Sequence, residues 1–259
     1  MLSIDINCDI GEGYGAYRIG ADEELMGLIT SANIACGFHA GDPGIMRASV
    51  RSAMKRNVAI GAHPGLPDRE GFGRREMAIT PKEAYDMIVY QIGALRAFAE
   101  SEGGFLSHVK PHGALYNMAA KENALAEAIA EAVYKVDGSL LLFGLSGSAL
   151  IRAGERLGLR TANEVFADRS YESDGSLTPR SIEGAVLASE EAVARQAVMM
   201  VKEGKVATRQ GSVITLKADT ICVHGDTPGA ADHVLALRES LEREGISFRA
   251  IAAGDNSHE

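Results

Sequence analysis

Short apolar runs alternate with amphipathic segments along the chain, and most of the apolar runs end in a polar corner. The clearest case is residues 31–44, SANIACGFHAGDPG, in which a small apolar run is followed by His39 and Asp42 among glycines. A short continuous apolar run predicts a strand that is buried on both faces. Asp42 and Pro43 then predict the start of a helix, because aspartate caps the first backbone N–H groups and proline suits the first turn.

The same order of strand, corner and helix recurs throughout the chain. Strands are predicted at residues 2–9, 32–36, 58–62, 105–109, 140–145, 159–165 and 220–223, with a candidate last strand at 247–251. Helices are predicted at residues 22–29, 43–55, 80–102, 123–136, 149–156, 183–202 and 229–244, and a small hairpin within 206–216. This alternation predicts an α/β fold with one domain over residues 1–259, a distorted (β/α) TIM-like barrel of seven or eight parallel strands. A doubly wound open sheet is the alternative.

Length and composition fit one large α/β domain. The chain has 259 residues, of which 46% are hydrophobic and 24% charged. Its net charge of −9 argues against nucleic acid or an anionic membrane as a partner. Since the sequence starts without a signal-like segment and no apolar run approaches the ~20 residues of a membrane span, a cytoplasmic location is expected. Cys8, Cys36 and Cys222 are expected to be buried thiols, with a catalytic Cys222 beside His224 as the alternative.

Ionisable residues gather at the ends of the predicted strands. Because the carboxyl ends of barrel strands converge on one mouth, these residues are expected to form one site. The set comprises Asp9, Glu12, His39, Asp42, His63, Lys110, His112, Asp168, Arg169, His224 and Asp226. Histidines at four separate strand ends favour a shared site over four independent structural roles.

Two kinds of chemistry suit this set. Asp9, His39 and His63 follow three consecutive strands and could bind a divalent metal of the Mg or Zn type, which lowers the pKa of bound water. No compact metal motif such as His-Glu-x-x-His is present. The alternative is general acid–base catalysis, with Asp9 or Glu12 beside an imidazole. Lys110 could hold an anion or polarise a carbonyl, or it could be a solvated lysine at a strand end.

Arginines near the same strand ends predict recognition of a carboxylate or a phosphate. They are Arg74, Arg75, Arg169 and Arg180, and because Arg74 and Arg75 are adjacent, one of the two could simply face solvent. The sequence contains no phosphate-binding loop, and residues 144–148 lack the final glycine of a serine-hydrolase elbow.

Long motifs make the sequence resemble the LamB/YcsF family, the A subunits of bacterial 5-oxoprolinases. They are DINCDIGE (5–12), SANIACGFHAGDP (31–43), GAHP (61–64), GFGRR (71–75), VKPHGALYN (109–117), EVFADR (164–169), Asp174-Gly175, Pro179-Arg180 and ICVHGD (221–226). The resemblance is collinear from Asp5 to about Asp226, nearly the whole chain.

The resemblance implies a distorted barrel similar to glycoside hydrolases and polysaccharide deacetylases. It also implies ATP-dependent hydrolysis of 5-oxo-L-proline to L-glutamate, with ADP and phosphate, together with 5-oxoprolinase subunits B and C. The site residues that it implies lie inside the matched motifs. They are Asp9, Glu12, His39, His63, Lys110, His112, His224 and Asp226.

A five-membered lactam is a poor electrophile, and phosphorylation of its amide oxygen by ATP would help to open it. The candidates are the mouth arginines for the substrate carboxylate, Lys110 with His112 for the phosphate, and Asp9 with the histidines for activation of water. Since there is no phosphate-binding loop, either the ATP site is irregular or a partner protein supplies part of it.

Two other functions remain as alternatives. One is a stand-alone, metal-dependent deacetylase or amidohydrolase that needs no ATP. The other is a non-catalytic subunit that holds 5-oxoproline or a sugar while its partners perform the reaction. A homo-oligomer is compatible with any of the three.

Overall fold

The fold is taken from a computed structural model, which describes residues 2–17, 19–187, 189–223 and 229–251. Its strands are β1 (Leu2–Ile10), β2 (Ser31–Ala35), β3 (Ala59–His63), β4 (His108–Val109), β5 (Leu141–Leu145), β6 (Thr161–Phe166), β7 (Lys205–Ala207), β8 (Val213–Thr215), β9 (Thr220–Val223) and β10 (Ile246–Phe248). Its helices are α1 (Asp22–Leu25), α2 (Pro43–Lys55), α3 (Pro81–Ser101), α4 (Gly113–Lys121), α5 (Asn123–Val136), α6 (Ala149–Arg156), α7 (Glu190–Glu203) and α8 (Ala230–Arg243). Within the described residues, no helix is both long enough and apolar enough to cross a membrane.

Seven parallel strands close into a barrel, in the order β1-β2-β3-β4-β5-β6-β9 and back to β1. The closing pair joins the first strand to one near the end of the chain, with Asn7 opposite Cys222. The short β10 adds to the start of β1, where Leu2 lies opposite Ile246. Strands β7 and β8 pair antiparallel outside the barrel. The predicted closed barrel is therefore confirmed, and the open sheet is excluded.

Local sequence signals account for the best-predicted helix starts. Asp42 accepts hydrogen bonds from the backbone N–H of Gly44 (2.8 Å) and Ile45 (3.0 Å), which caps α2 as expected. At the start of α3, Thr80 and Glu83 form a reciprocal capping box. Both caps fix where the chain turns from a polar corner back along the outside of the barrel.

Three predicted elements differ from the structure. Residues 113–121 form α4, which the sequence pattern assigned to a loop because the helix follows a Lys-Pro-His-Gly corner. The predicted helix at 183–202 begins only at Glu190, because the preceding segment pairs with the loop after β6: the Leu187 N–H donates to Asp168 O at 2.8 Å. The helix predicted at 22–29 ends at Leu25.

The two faces of β1 show how the barrel separates apolar from polar groups. Ile4, Ile6, Cys8 and Ile10 are buried in the apolar layer that also contains side chains of α2 and α3. The alternate residues, Asp5, Asn7 and Asp9, point into the barrel. The interior is therefore lined with polar groups that must find partners across the barrel.

Candidate active site

A chain of hydrogen bonds runs across the barrel interior beneath the mouth. His108 Nε2 lies 2.8 Å from the amide oxygen of Asn33, and the Asn33 amide donates to Asn7 Oδ1 (2.7 Å) and Asp9 Oδ1 (2.9 Å). Burial lowers the pKa of His108 to about 3, so this ring is neutral and donates from Nε2. These contacts hold Asp9 in a fixed orientation at the carboxyl end of β1.

Glycine at position 61 leaves room for the His108 ring. A Cβ atom added to Gly61, on the neighbouring strand β3, would lie 2.0 Å from His108 Nε2. The other face of the ring stacks on Phe143, with ring centroids 4.3 Å apart. The ring is thus clamped between a bare backbone and an aromatic side chain.

Lys110 is the buried cation of the site. Its ammonium nitrogen lies 2.8 Å from Glu164 Oε1, 3.0 Å from Asp9 Oδ1, 3.1 Å from Asn7 Oδ1 and 3.2 Å from Cys222 Sγ. Burial alone would lower the pKa of Lys110, but the adjacent Asp9, Cys222 and Glu164 raise it well above its ordinary value. Lys110 is therefore protonated, and its three N–H bonds are directed at protein acceptors.

Asp9 is the carboxylate of the cluster that is nearest to solvent, with 20% of its side chain exposed. Its Oδ2 lies 3.1 Å from His63 Nε2, while Oδ1 faces Lys110. Burial alone would raise the pKa of Asp9, but His63 and Lys110 outweigh it and hold that pKa well below the usual value. Asp9 is consequently ionised under all ordinary conditions.

Glu12, His39, His63 and His112 form a compact buried group next to Asp9, with one potential ligand atom from each within 4.8 Å of the others. Glu12 Oε1 lies 3.1 Å from His39 Nε2 and 3.2 Å from His112 Nδ1. The His63 Nε2 and His112 Nδ1 atoms are 3.0 Å apart. Burial and the neighbouring histidines lower the pKa of His112 to about 3. This group has the composition of a metal-binding site.

A cavity of about 450 Å³ opens above these residues, between the barrel mouth and the loop after β6. Asp9, His63, Lys110 and His112 line its floor, and Arg74, Arg169 and Arg180 line its walls. Arg169 also supports the loop, because its guanidinium donates to Ala185 O at 3.1 Å and Thr178 O at 2.5 Å. The cavity is large enough for a small organic acid and further groups beside it.

The structure places the other predicted site residues elsewhere. Arg75 pairs with Asp68 and leaves 63% of its side chain exposed. Asp168 lines a separate cavity of about 530 Å³ between α7 and α8. His224 and Asp226 lie outside the described residues.

Sequence reasoning missed the most deeply buried partners of the site. Glu164 was noted only as part of a motif, although its side chain is fully buried beside Lys110. Asn7, Asn33 and His108 were assigned to strands without a role, yet they orient Asp9. The usable signal was a polar residue inside an otherwise apolar strand, since such a residue needs a buried partner.

A closed parallel barrel with its ionisable groups at one mouth places this chain in the class of (β/α)-barrel proteins that bind small molecules at the carboxyl ends of their strands. A family model described as the LamB/YcsF family matches residues 4–256. The chain therefore belongs to the LamB/YcsF family.

Known proteins resemble this chain over its whole length. A protein of Bacillus subtilis that is named as the A subunit of 5-oxoprolinase is 58% identical over 252 residues, which are 97% of this chain and 98% of that one. The solved structure of a lactam utilization protein from Thermus thermophilus covers 96% of this chain, and all of that chain is matched, with 47% identity and a TM-score of 0.91.

More distant likeness supports the fold alone. The catalytic domain of a peptidoglycan N-acetylglucosamine deacetylase from Eubacterium rectale superposes with a TM-score of 0.50 at 11% identity, covering 98% of this chain and 91% of that one. The expected similarity to deacetylase barrels is thus confirmed for the architecture.

Proposed function

We propose that this chain is the A subunit of an ATP-dependent 5-oxoprolinase and that its barrel mouth hydrolyses the lactam of 5-oxo-L-proline to L-glutamate. The observation that carries the proposal is the Asp9–Lys110–Glu164 ion cluster beside three histidines on the floor of a 450 Å³ cavity. The full-length relatives support the choice of substrate, since one at 58% identity is named as the A subunit of 5-oxoprolinase.

Asp9 and His63 are the candidates for activation of water. Asp9 is the most exposed carboxylate of the cluster, and its Oδ2 atom lies 3.1 Å from His63 Nε2. Lys110 and Asn33 hold the other Asp9 oxygen, so the carboxylate cannot rotate away from the cavity. A fixed carboxylate–imidazole pair that faces a cavity is the arrangement needed to orient a water molecule and remove its proton.

The arginines on the cavity walls suit the anionic parts of the reaction. Arg74 and Arg180 are exposed residues at the mouth, where a guanidinium could bind the substrate carboxylate or the phosphate formed on the lactam oxygen. The Lys110 N–H bonds already point at Asp9, Asn7 and Glu164. We therefore assign anion binding to the arginines and orientation of Asp9 to Lys110.

The nucleotide and the partner subunits follow from chemistry and from the relatives. Amide hydrolysis of an unstrained lactam gains from phosphorylation of its oxygen, and the sequence has no phosphate-binding loop. Subunits B and C would then complete the ATP site above the cavity. Glu12, His39, His63 and His112 could in addition hold a divalent cation, which would lower the pKa of a bound water.

The test is release of ADP and glutamate from 5-oxoproline and ATP, measured with the chain alone and after addition of subunits B and C. We expect coupled release only in the complete mixture and its loss in Asp9→Asn. Asp86→Asn is the matched control, since Asp86 pairs with Lys82 on the surface of α3 and should leave turnover unchanged.

Two results would replace the proposal. Hydrolysis of an amide by the metal-loaded chain alone, without ATP, would favour a stand-alone amidohydrolase or deacetylase. Full turnover by a complex that contains Asp9→Asn, together with 5-oxoproline binding by the isolated chain, would favour a non-catalytic binding subunit.

A further inference from the structure

We propose that Glu12, His63 and His112 bind a divalent cation of the zinc type and that His39 positions Glu12 without binding the metal. This set differs from the Asp9, His39 and His63 set expected from the sequence. The inference concerns the mouth to which we assign the hydrolase reaction, but metal binding can be measured without turnover. The two proposals can therefore fail separately.

The first step is the position of the ring protons on His63 and His112. His63 Nδ1 lies 2.6 Å from the carbonyl oxygen of Lys110, and His112 Nε2 lies 2.8 Å from the carbonyl oxygen of Phe72. A carbonyl oxygen only accepts hydrogen bonds, so each of these nitrogens must carry a hydrogen. In a neutral ring, the opposite nitrogen then presents its lone pair.

The second step is that these two lone pairs meet. His63 Nε2 and His112 Nδ1 are 3.0 Å apart, and Glu12 Oε1 lies 3.2 Å from His112 Nδ1 and 4.0 Å from His63 Nε2. Three acceptors this close repel one another unless a cation lies between them. Histidines that donate their second nitrogen to a backbone carbonyl while the first faces a shared point are typical of metal ligands.

Ring geometry excludes His39 as a further ligand. The His39 and His112 rings stack in parallel, 3.7 Å between centroids and 3° between planes, so one ion cannot lie in both ring planes. The His63 and His112 rings are at 87°, which allows a single point in both planes. His39 instead donates from Nε2 to Glu12 Oε1 at 3.1 Å and thereby fixes that carboxylate.

The charges and donor types also indicate the kind of cation. Asp9, Glu12 and Glu164 face a single buried ammonium, that of Lys110, while Arg74 is exposed and screened by water. Two imidazoles and a carboxylate suit Zn²⁺ or Co²⁺ rather than Mg²⁺, which prefers oxygen ligands. His63 and His112 line the cavity, so the remaining coordination position would face the substrate.

The experiment is a metal titration of the full chain after treatment with a chelator and removal of the chelator. Co²⁺ binding is followed by its visible absorption, and Zn²⁺ content by elemental analysis after dialysis. We expect a single equivalent of either metal and none of Mg²⁺. Glu12→Gln, His63→Ala and His112→Ala should each weaken binding by more than about 100-fold, beyond the range of about 10–100-fold typical of positioning residues.

Two further variants separate ligands from neighbours. His39→Gln can still donate to Glu12, so we expect it to keep the full equivalent at saturating metal, with affinity reduced by at most about 100-fold. His233→Ala is the matched control, because His233 is an exposed histidine paired with Glu190 on the surface and its removal should change nothing.

Absence of Co²⁺ and Zn²⁺ uptake by the wild-type chain would overturn the inference and leave a proton on His63 Nε2 between the acceptors. Uptake that survives both His63→Ala and His112→Ala would move the site elsewhere. Thermal unfolding of each metal-free variant checks its fold, and Glu12→Gln, which preserves size and shape, decides if the alanine variants unfold. Metal uptake without oxoprolinase turnover would refute only the proposed reaction.

Discussion

The Lys110 ammonium lies 2.8 Å from a carboxylate oxygen of Glu164, and no part of the Glu164 side chain is exposed. Lys110 follows β4 and Glu164 belongs to β6, so this ion pair crosses the barrel interior past β5. Burying an ion pair is costly unless both partners gain further contacts. Here Lys110 gains Asp9, Asn7 and Cys222, which connects the pair to the cavity floor.

Removing only the cation of this pair should damage both stability and activity. Lys110→Met leaves Asp9 and Glu164 buried without a counter-ion, and we expect it to lower the free energy of unfolding by about 3–5 kcal/mol. Urea denaturation of the metal-free chain measures this loss. The double variant Lys110→Met/Glu164→Gln should recover much of it, because one buried charge goes with the other.

Activity should not recover in the double variant. Asp9 then lacks the ammonium that fixes its Oδ1 atom, so glutamate release by the complex should stay at background. A double variant that regains both stability and turnover would show that Lys110 has only a structural role.

The neighbouring arginines Arg74 and Arg75 should separate under kinetic measurement. Arg74 lines the cavity, whereas Arg75 pairs with Asp68 and points outward. We expect Arg74→Gln to raise KM for 5-oxoproline or ATP by at least ~10-fold, as for loss of a charge-assisted hydrogen bond worth about 1.5–3 kcal/mol. Arg75→Gln should leave both KM values unchanged, and equal effects of the two variants would contradict the orientation described for them.

Acid stability should depend on Arg75 in the opposite way. The Arg75 guanidinium lowers the pKa of Asp68 from 3.8 to about 2. A depressed folded-state pKa stabilises the fold above the unfolded-state value, and this contribution is lost as the pH falls towards 2. Urea midpoints of wild type and Arg75→Gln should therefore differ at pH 6 and converge near pH 2, while Arg74→Gln follows the wild type throughout.

Two glycines provide a matched test of the clamp around His108. Gly61→Ala places a methyl group on the His108 ring, so we expect a loss of about 1–3 kcal/mol and reduced turnover through displacement of Asn33 and Asp9. Gly93 lies on the exposed face of α3 with no atom within 4 Å of an added Cβ. Gly93→Ala should stabilise the protein by roughly 0.5–1 kcal/mol and leave turnover intact. Thermal unfolding and glutamate release measure both variants.

Much of this fold is predictable from sequence because its signals are local. The cap at Asp42, the capping box at Thr80 and the apolar run of β9 each specify an element without reference to the rest of the chain. Helix α4 escaped because it is short and begins at a glycine with φ of 55°, directly after a Pro-His corner. Its buried face is defined by packing against α5 and α6 rather than by a start signal.

The site was predictable in position but not in pairing. The barrel rule alone brings Asp9, His63 and Lys110 to one mouth. No local pattern shows that Lys110 turns inward to Glu164, or that of two adjacent arginines only Arg74 reaches the cavity. Those outcomes depend on which strands are neighbours and on the room left by Gly61, and both are properties of the closed barrel.

The pairing of the first strand with β9 also determines when the site can form during synthesis. Asn7, near the start of the chain, donates to Thr220 at 2.8 Å, and Lys110 reaches Cys222 two residues further on. A growing chain therefore carries every other described member of the cluster before it can close the barrel. Until residue 223 has left the ribosome, the polar groups of β1 lack their last partners, and the unfinished chain exposes an open sheet edge that is a natural target for chaperones.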